Sequence, residues 1–172
     1  MAGHLLTGGH ELYLYDIKPP AKSLVDQGGI LCQSCKEAAQ KADIVVIMVP
    51  DTPDVADVLF AEKGVAAGLS PGKIVVDMSS ISPIQTKEFA RKIEGLGCEY
   101  LDAPVSGGEV GAKAASLTIM VGGKQEVFDK IKPLFELMGK NITLVGASGD
   151  GQTCKVANQI IVALTIEAVG EA

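Results

Sequence analysis

Lys155 and Asn158 stand three residues apart in GDGQTCKVANQIIVAL, among Val156, Ala157, Ile160, Ile161, Val162 and Leu164. On a helix that spacing brings both side chains onto one face. An ammonium inside so apolar a helix is costly unless it reaches a cleft or a partner. Loss of water there lowers a lysine pKa and suits the group to proton transfer. A snorkelling lysine beside a surface asparagine is the alternative reading of the same stretch. The second candidate is DAPVSGG, residues 102–108. One glycine suffices for a turn, whereas Ser106, Gly107 and Gly108 together leave backbone N–H groups open to something that approaches closely.

Asp16 closes the short run ELYLY. In dinucleotide-binding folds an acidic residue at the end of the second strand binds the ribose 2′-hydroxyl. Asp16 is placed for that, and its charge disfavours the extra phosphate of NADP, with Lys18 close enough to soften the repulsion. A strand-ending turn aspartate is the plain alternative. The G-x-G-x-x-G pattern that would accompany such a site does not occur in the chain, and Gly8–Gly9 follows a helical pattern, not a strand. Cys32 and Cys35 form one C-x-x-C; Cys98 and Cys154 stand alone. Zinc would require a second pair or nearby histidines, and His4 and His10 lie well upstream. Ser34-x-x-Glu37 reads as a capping box that puts Cys35 in a first helical turn. Free structural thiols, no metal and a reducing compartment such as the cytoplasm are the expectation.

These residues need a scaffold. Short Val/Ile/Leu runs, at 11–15, 44–49, 73–76, 100–101, 117–121 and 142–145, alternate with helical patterns at 21–27, 35–42, 55–60, 83–96, 125–138 and 151–172. Fully apolar strands separated by helices predict an α/β fold, a doubly wound Rossmann-type parallel sheet covered on both faces. Ligands collect beyond the carboxyl ends of such strands. Asp16, Pro50–Asp51, Asp77–Ser80 and Ser106–Gly108 then share one rim. Residues 1–6 read as the tail of a helix stopped by Gly8–Gly9, so the first strand and its glycine-rich loop are expected to precede Met1. The run from Gly151 ends at Ala172 without a capping signal. The expected organisation is a cofactor-binding domain over 1–148, incomplete at its start, and over 149–172 the opening of an interdomain helix.

The 172 residues include 47% apolar and 21% charged, an ordinary globular balance. Aromatics are 4%, Trp is absent, and the net charge is −6 with no basic stripe, which argues against nucleic acid and anionic membranes as partners. No apolar stretch of transmembrane length and no signal peptide are read in the chain.

DAPVSGG, LTIMVGG (117–123), DMSSISP (77–83), Asp16 and the G-x-x-x-K-x-x-N pattern of 151–158 together resemble the β-hydroxyacid dehydrogenase family across essentially the whole chain. The resemblance implies NAD as cofactor and hydride transfer between it and a small 3-hydroxy or 3-oxo acid. It implies that Lys155 is catalytic, that Asn158 orients the substrate and that Ser106, Gly107 and Gly108 cradle the substrate carboxylate. It further places Val49 and Pro50 along the cofactor and Ser80 near its ribose or nicotinamide. The stretches SGGEVGAKAASLTIMVGG and KVANQIIVAL are most similar to the branch acting on 2-hydroxy-3-oxopropionate, with 3-hydroxyisobutyrate as the alternative substrate. An all-α C-terminal domain, which closes the cleft and builds a homo-oligomer, is expected beyond Ala172, so the chain alone is expected to turn over weakly or not at all. Two rival readings are a non-catalytic binding module on the same fold and a phosphoacceptor domain using Asp77.

Overall fold

The computed structural model describes residues 1–172. Eight α-helices and eight strands, with one short 3-10 helix at Val65–Gly68, follow one another along the chain, alternating except where two strands are consecutive at 99–106. The strands are β1 (Tyr13–Leu14), β2 (Ile30–Leu31), β3 (Ile44–Ile47), β4 (Ile74–Asp77), β5 (Glu99–Asp102), β6 (Val105–Ser106), β7 (Leu117–Gly122) and β8 (Gly139–Gly146). The helices are α1 (Ala2–Thr7), α2 (Lys22–Asp26), α3 (Cys35–Lys41), α4 (Thr52–Phe60), α5 (Pro83–Glu94), α6 (Gly108–Lys113), α7 (Gln125–Glu136) and α8 (Asp150–Glu171).

β4 and β5 show why the sheet is covered on both faces. Successive residues of a strand point to opposite sides. Val75 and Tyr100 enter one core with Val55, Leu59, Phe89 and Ile93 of α4 and α5. Val76 and Leu101 enter the other, with Phe128, Ile131 and Phe135 of α7 and Leu5 of α1. Both faces are apolar because both are buried, which is why these strands read as unbroken hydrophobic runs. β8 differs: its residues alternate between exposed and half-buried from Asn141 to Gly146, as at a sheet edge with one wet face.

The expectation of one parallel sheet needs correction on two points. β1 and β2 pair in parallel as a separate two-stranded sheet, while β3, β4 and β5 run parallel within a six-stranded mixed sheet. β7 runs antiparallel to β5 and β6 and parallel to β8. An apolar run is the same in either direction, so LTIMV carries no sign of its orientation. The pairs Asp102 with Gly122, Val105 with Ile119 and Ser106 with Thr118 lie in one unbroken register. Between them the Met120 N–H donates to the Pro104 carbonyl at 3.0 Å. Residues 102–106 are therefore one strand extension along β7. β5 runs beside β4 as far as Asp102, and β6 carries the chain on past the end of β4.

Helix ends follow local chemistry. Ser34 caps α3 by accepting the Glu37 N–H at 3.1 Å, with Cys35 in the first turn. Glu37 reaches the Gln33 N–H, one residue before the position a full capping box uses. Ser82 caps α5, with Pro83 as its first residue. All four cysteines are free. α8 has 22 residues, and an 18-residue stretch of it has a mean hydropathy of 1.2, so by length and composition alone it could cross a membrane, contrary to the sequence-based expectation. Its first turns nevertheless seat Gly151, Gln152 and Lys155 in the protein interior.

Candidate active site

The carboxyl ends of β4 and β5 each carry a fully buried aspartate, Asp77 and Asp102, adjacent in register. Asp77 accepts the Ser79 N–H at 2.9 Å and the Tyr100 hydroxyl at 3.1 Å. Burial, partly offset by these bonds, pushes its carboxyl up to about 6. Seated this deeply, Asp77 is inaccessible to a phosphoryl donor, which removes the phosphoacceptor reading. Ser79 is buried as well: its hydroxyl accepts the Val49 N–H at 3.0 Å and joins the end of β3 to the end of β4.

Asp102 opens DAPVSGG and holds the start of α8. Its two carboxylate oxygens accept the Gly149 N–H at 2.7 Å and the Gln152 N–H at 2.9 Å. A helix start leaves its first N–H groups without partners and concentrates positive potential there, so a buried carboxylate satisfies both. Burial still raises the Asp102 pKa above the usual value against the lowering effect of those bonds. The approach is close. A Cβ on Gly151 would lie 2.5 Å from the Met120 carbonyl oxygen and 2.7 Å from Asp102 Oδ2, and one on Gly122 would lie 2.5 Å from Asp102 Oδ1. Gln152, fully buried, donates from Nε2 to the Ser79 carbonyl at 2.7 Å and accepts the Ile81 N–H at 3.1 Å.

Lys155 lies one turn beyond this anchor and is 8% exposed. Its pKa is lowered, and the cause is loss of water alone. Asn158, on the next turn, is half-buried, and its amide donates to Oε1 of Gln159 at 3.0 Å. Farther along the helix Ile160, Ile161, Leu164, Ile166 and Val169 are exposed.

Ser106 is half-buried at the end of β6, and Gly107 and Gly108 are exposed. Gly107 has φ +134 and Gly108 φ +58, values that side-chain-bearing residues rarely adopt. A Cβ on Gly107 would also press on Leu117 at 3.2 Å, whereas the space beside Gly108 is empty. The first N–H groups of α6, which starts at Gly108, have no partner within the helix. Glu109 in that turn pairs with Lys113 at 2.6 Å.

The predicted residues thus fall into groups. Val49 and the 77–81 turn, with Asp102 and the first turn of α8, form one hydrogen-bonded network. Ser80 is exposed on its surface, and Pro50 is exposed beside half-buried Val49. Ser106–Gly108 joins the network through the strand extension from Asp102. Asp16 stands apart, exposed in the loop two residues past β1, with Oδ1 taking the Lys18 N–H at 3.0 Å. Sequence reasoning missed Asp102 and Gln152 as anchors. Their signal was present in two apolar strands that each end on aspartate, and in a glutamine inside an otherwise apolar helix start.

In open α/β sheets of this kind ligands bind beyond the carboxyl ends of the parallel strands, where these residues lie. Residues 1–146 match the NAD binding domain of 6-phosphogluconate dehydrogenase, and the chain belongs to that family. It is 58% identical, over its whole length, to the 2-hydroxy-3-oxopropionate reductase of Escherichia coli, spanning 59% of that protein. It is 38% identical to the NAD-dependent L-serine dehydrogenase of Pseudomonas aeruginosa, again over its whole length and across 58% of that protein. Among solved structures, Mycobacterium tuberculosis 3-hydroxyisobutyrate dehydrogenase with L-serine superposes with a TM-score of 0.90 at 34% identity, covering 99% of this chain and 58% of that one. The chain therefore spans about three-fifths of the length of these relatives. The expected cofactor, NAD, agrees with the family, and the expected resemblance to β-hydroxyacid dehydrogenases agrees with these relatives.

Proposed function

We propose that this chain supplies the cofactor domain and the catalytic lysine of an NAD-dependent reductase that converts 2-hydroxy-3-oxopropionate to glycerate. The observation that carries the reading is Lys155, an ammonium sequestered from water beside the anchored start of α8. The 58% identity to the Escherichia coli reductase supports the choice of substrate. The likeness to 3-hydroxyisobutyrate dehydrogenase keeps 3-hydroxyisobutyrate as the second reading.

The residues at hand fit NAD. The Asp16 carboxylate is exposed and suits a ribose diol; Val49, Pro50 and Ser80 line the rim where the nicotinamide end belongs. Bound NADH supplies the hydride. Ser106, Gly107 and Gly108 hold the substrate carboxylate through N–H groups that glycine leaves uncovered, which fixes the direction of the carbonyl. Lys155 stabilises the carbonyl oxygen as negative charge builds there and gives it a proton; in the reverse direction it takes that proton back. Its lowered pKa eases both transfers. Asn158 keeps the substrate oriented beside it. Residues 1–148 serve as the cofactor unit, and 149–172 lead into a second, helical unit that covers the exposed apolar side of α8 and joins copies of the protein. The free thiols suit a cytoplasmic setting.

The test is a panel of 3-oxo acids with NADH, run on a full-length version of the protein and on its Lys155→Ala variant. Turnover highest with 2-hydroxy-3-oxopropionate, lost by a factor of about 10² or more in Lys155→Ala while NADH still binds, is the expected result. Near-normal turnover in the variant would remove Lys155 from the mechanism.

A further inference from the structure

Gln152 is the one fully buried amide side chain in the protein, and both of its polar ends are used across a gap between elements. The side chain leaves α8 one turn before Lys155. It donates to the Ser79 carbonyl and accepts from the Ile81 N–H, thereby gripping the residues on either side of Ser80. Its own backbone N–H is held by Asp102. Ser79 passes the constraint on to Val49 through its hydroxyl. Only this side chain hydrogen-bonds the helix that carries Lys155 to the turn between β4 and α5.

We propose that Gln152 is a positioning residue that locks the cofactor-side turn 79–81 to the lysine helix, so that binding of NADH and the placement of Lys155 depend on one shared contact. This rests on the reading of Lys155 as the proton donor and of Ser80 as a cofactor contact. A local packing role would affect stability alone. A lock would affect NADH affinity and turnover together, because the same bonds order both sides of the site.

The amide has a chemical mimic that makes the proposal testable. In Gln152→Glu a protonated carboxyl accepts from Ile81 and donates to Ser79, as the amide does. Ionised, it turns two acceptors toward the Ser79 carbonyl and the contact fails. The ionisable groups around it are Asp77 and Tyr100 behind the turn, Asp102 and Asp150 at the helix start, Lys155 one turn on, and Lys87 of α5, which pairs with Asp150 at 3.9 Å. Burial and the acidic neighbours favour the protonated form and outweigh the opposing pull of the two lysines, so the switch falls above the ordinary glutamate range.

The experiment measures the NADH dissociation constant by fluorescence and kcat at saturating NADH, from pH 5 to 9. It compares the wild-type protein, Gln152→Met, Gln152→Glu and Lys155→Ala, each in its full-length version, with a circular-dichroism melt on each. Gln152→Met should weaken NADH binding and lower kcat, each by about tenfold. Gln152→Glu should match wild type at the acid end and approach Gln152→Met as the pH rises, a limb that wild type lacks. Lys155→Ala should lose kcat and keep its NADH affinity. A Gln152→Glu profile that follows wild type overturns the proposal. So do variants with a lowered melt but unchanged NADH affinity and kcat, or variants that fail to fold at every pH, which would make Gln152 a stability residue only. If Lys155→Ala keeps its turnover, the reading beneath fails instead, and the NADH affinities of the Gln152 variants still report the lock.

Discussion

Asp77→Asn should change how stability depends on pH more than it changes stability at any one pH. The Asp77 carboxyl is fully buried, and its pKa rises from the ordinary 3.8 to about 6, with burial as the largest cause. A carboxyl whose folded pKa exceeds its unfolded value binds its proton more tightly in the native state. Below pH 3.8 it is protonated in both states and imposes no penalty. Between about 4 and 6 the unfolded chain releases the proton first, so stability falls as the pH rises, and above 6 the loss is complete. A separation of about two units corresponds to about 3 kcal/mol. Asparagine keeps an acceptor for the Ser79 N–H and presents its amide group to Tyr100, without a charge to bury. Urea unfolding of both proteins at half-unit steps from pH 4 to 7.5 measures the effect. The difference in unfolding free energy should move by about 2.5 kcal/mol toward the variant across that range. Asp102, also raised by burial, contributes a slope of the same sign that both proteins share. Parallel curves for the two proteins would refute the argument, because they would mean that the Asp77 carboxylate is not penalised by its surroundings.

Gly151→Ala should destabilise by about 1–3 kcal/mol, since the new methyl would press on the Met120 carbonyl and the Asp102 carboxylate; a thermal melt lower by roughly 5 °C checks it. Asp102→Ala strands two buried N–H groups and should lower stability by about 2–4 kcal/mol, read by urea unfolding at pH 7. Asp16→Ala should narrow the preference for NADH over NADPH by about tenfold, measured as the ratio of dissociation constants; an unchanged ratio would free Asp16 from that role.

The parts of the fold legible in the sequence were those decided by local pattern. IVVI, KIVV and LTIMV read as strands because they are runs rich in apolar and β-branched residues with no glycine or proline inside them, and Ser34 announced a helix start through the Glu37 that follows. β2 escaped notice because two half-exposed residues, Ile30 and Leu31, carry no periodicity. β6 and α6 were hidden inside a segment whose glycines read as loop. The antiparallel course of β7 is set by the extension through Pro104, a tertiary fact. In the site, Lys155 and the Ser106–Gly108 turn stood out because charge in an apolar helix and paired glycines are locally unusual. Asp102 and Gln152 did not, because a polar residue at a strand or helix end is ordinary until the structure shows what it holds.

A crystal structure of the protein with NAD⁺ and glycerate tests the central claim most directly. The account predicts the glycerate carboxylate on the N–H groups of Ser106–Gly108 and its hydroxyl oxygen within hydrogen-bond reach of Lys155 Nζ. A carboxylate bound elsewhere, or a Lys155 ammonium turned away from the hydroxyl, would contradict it.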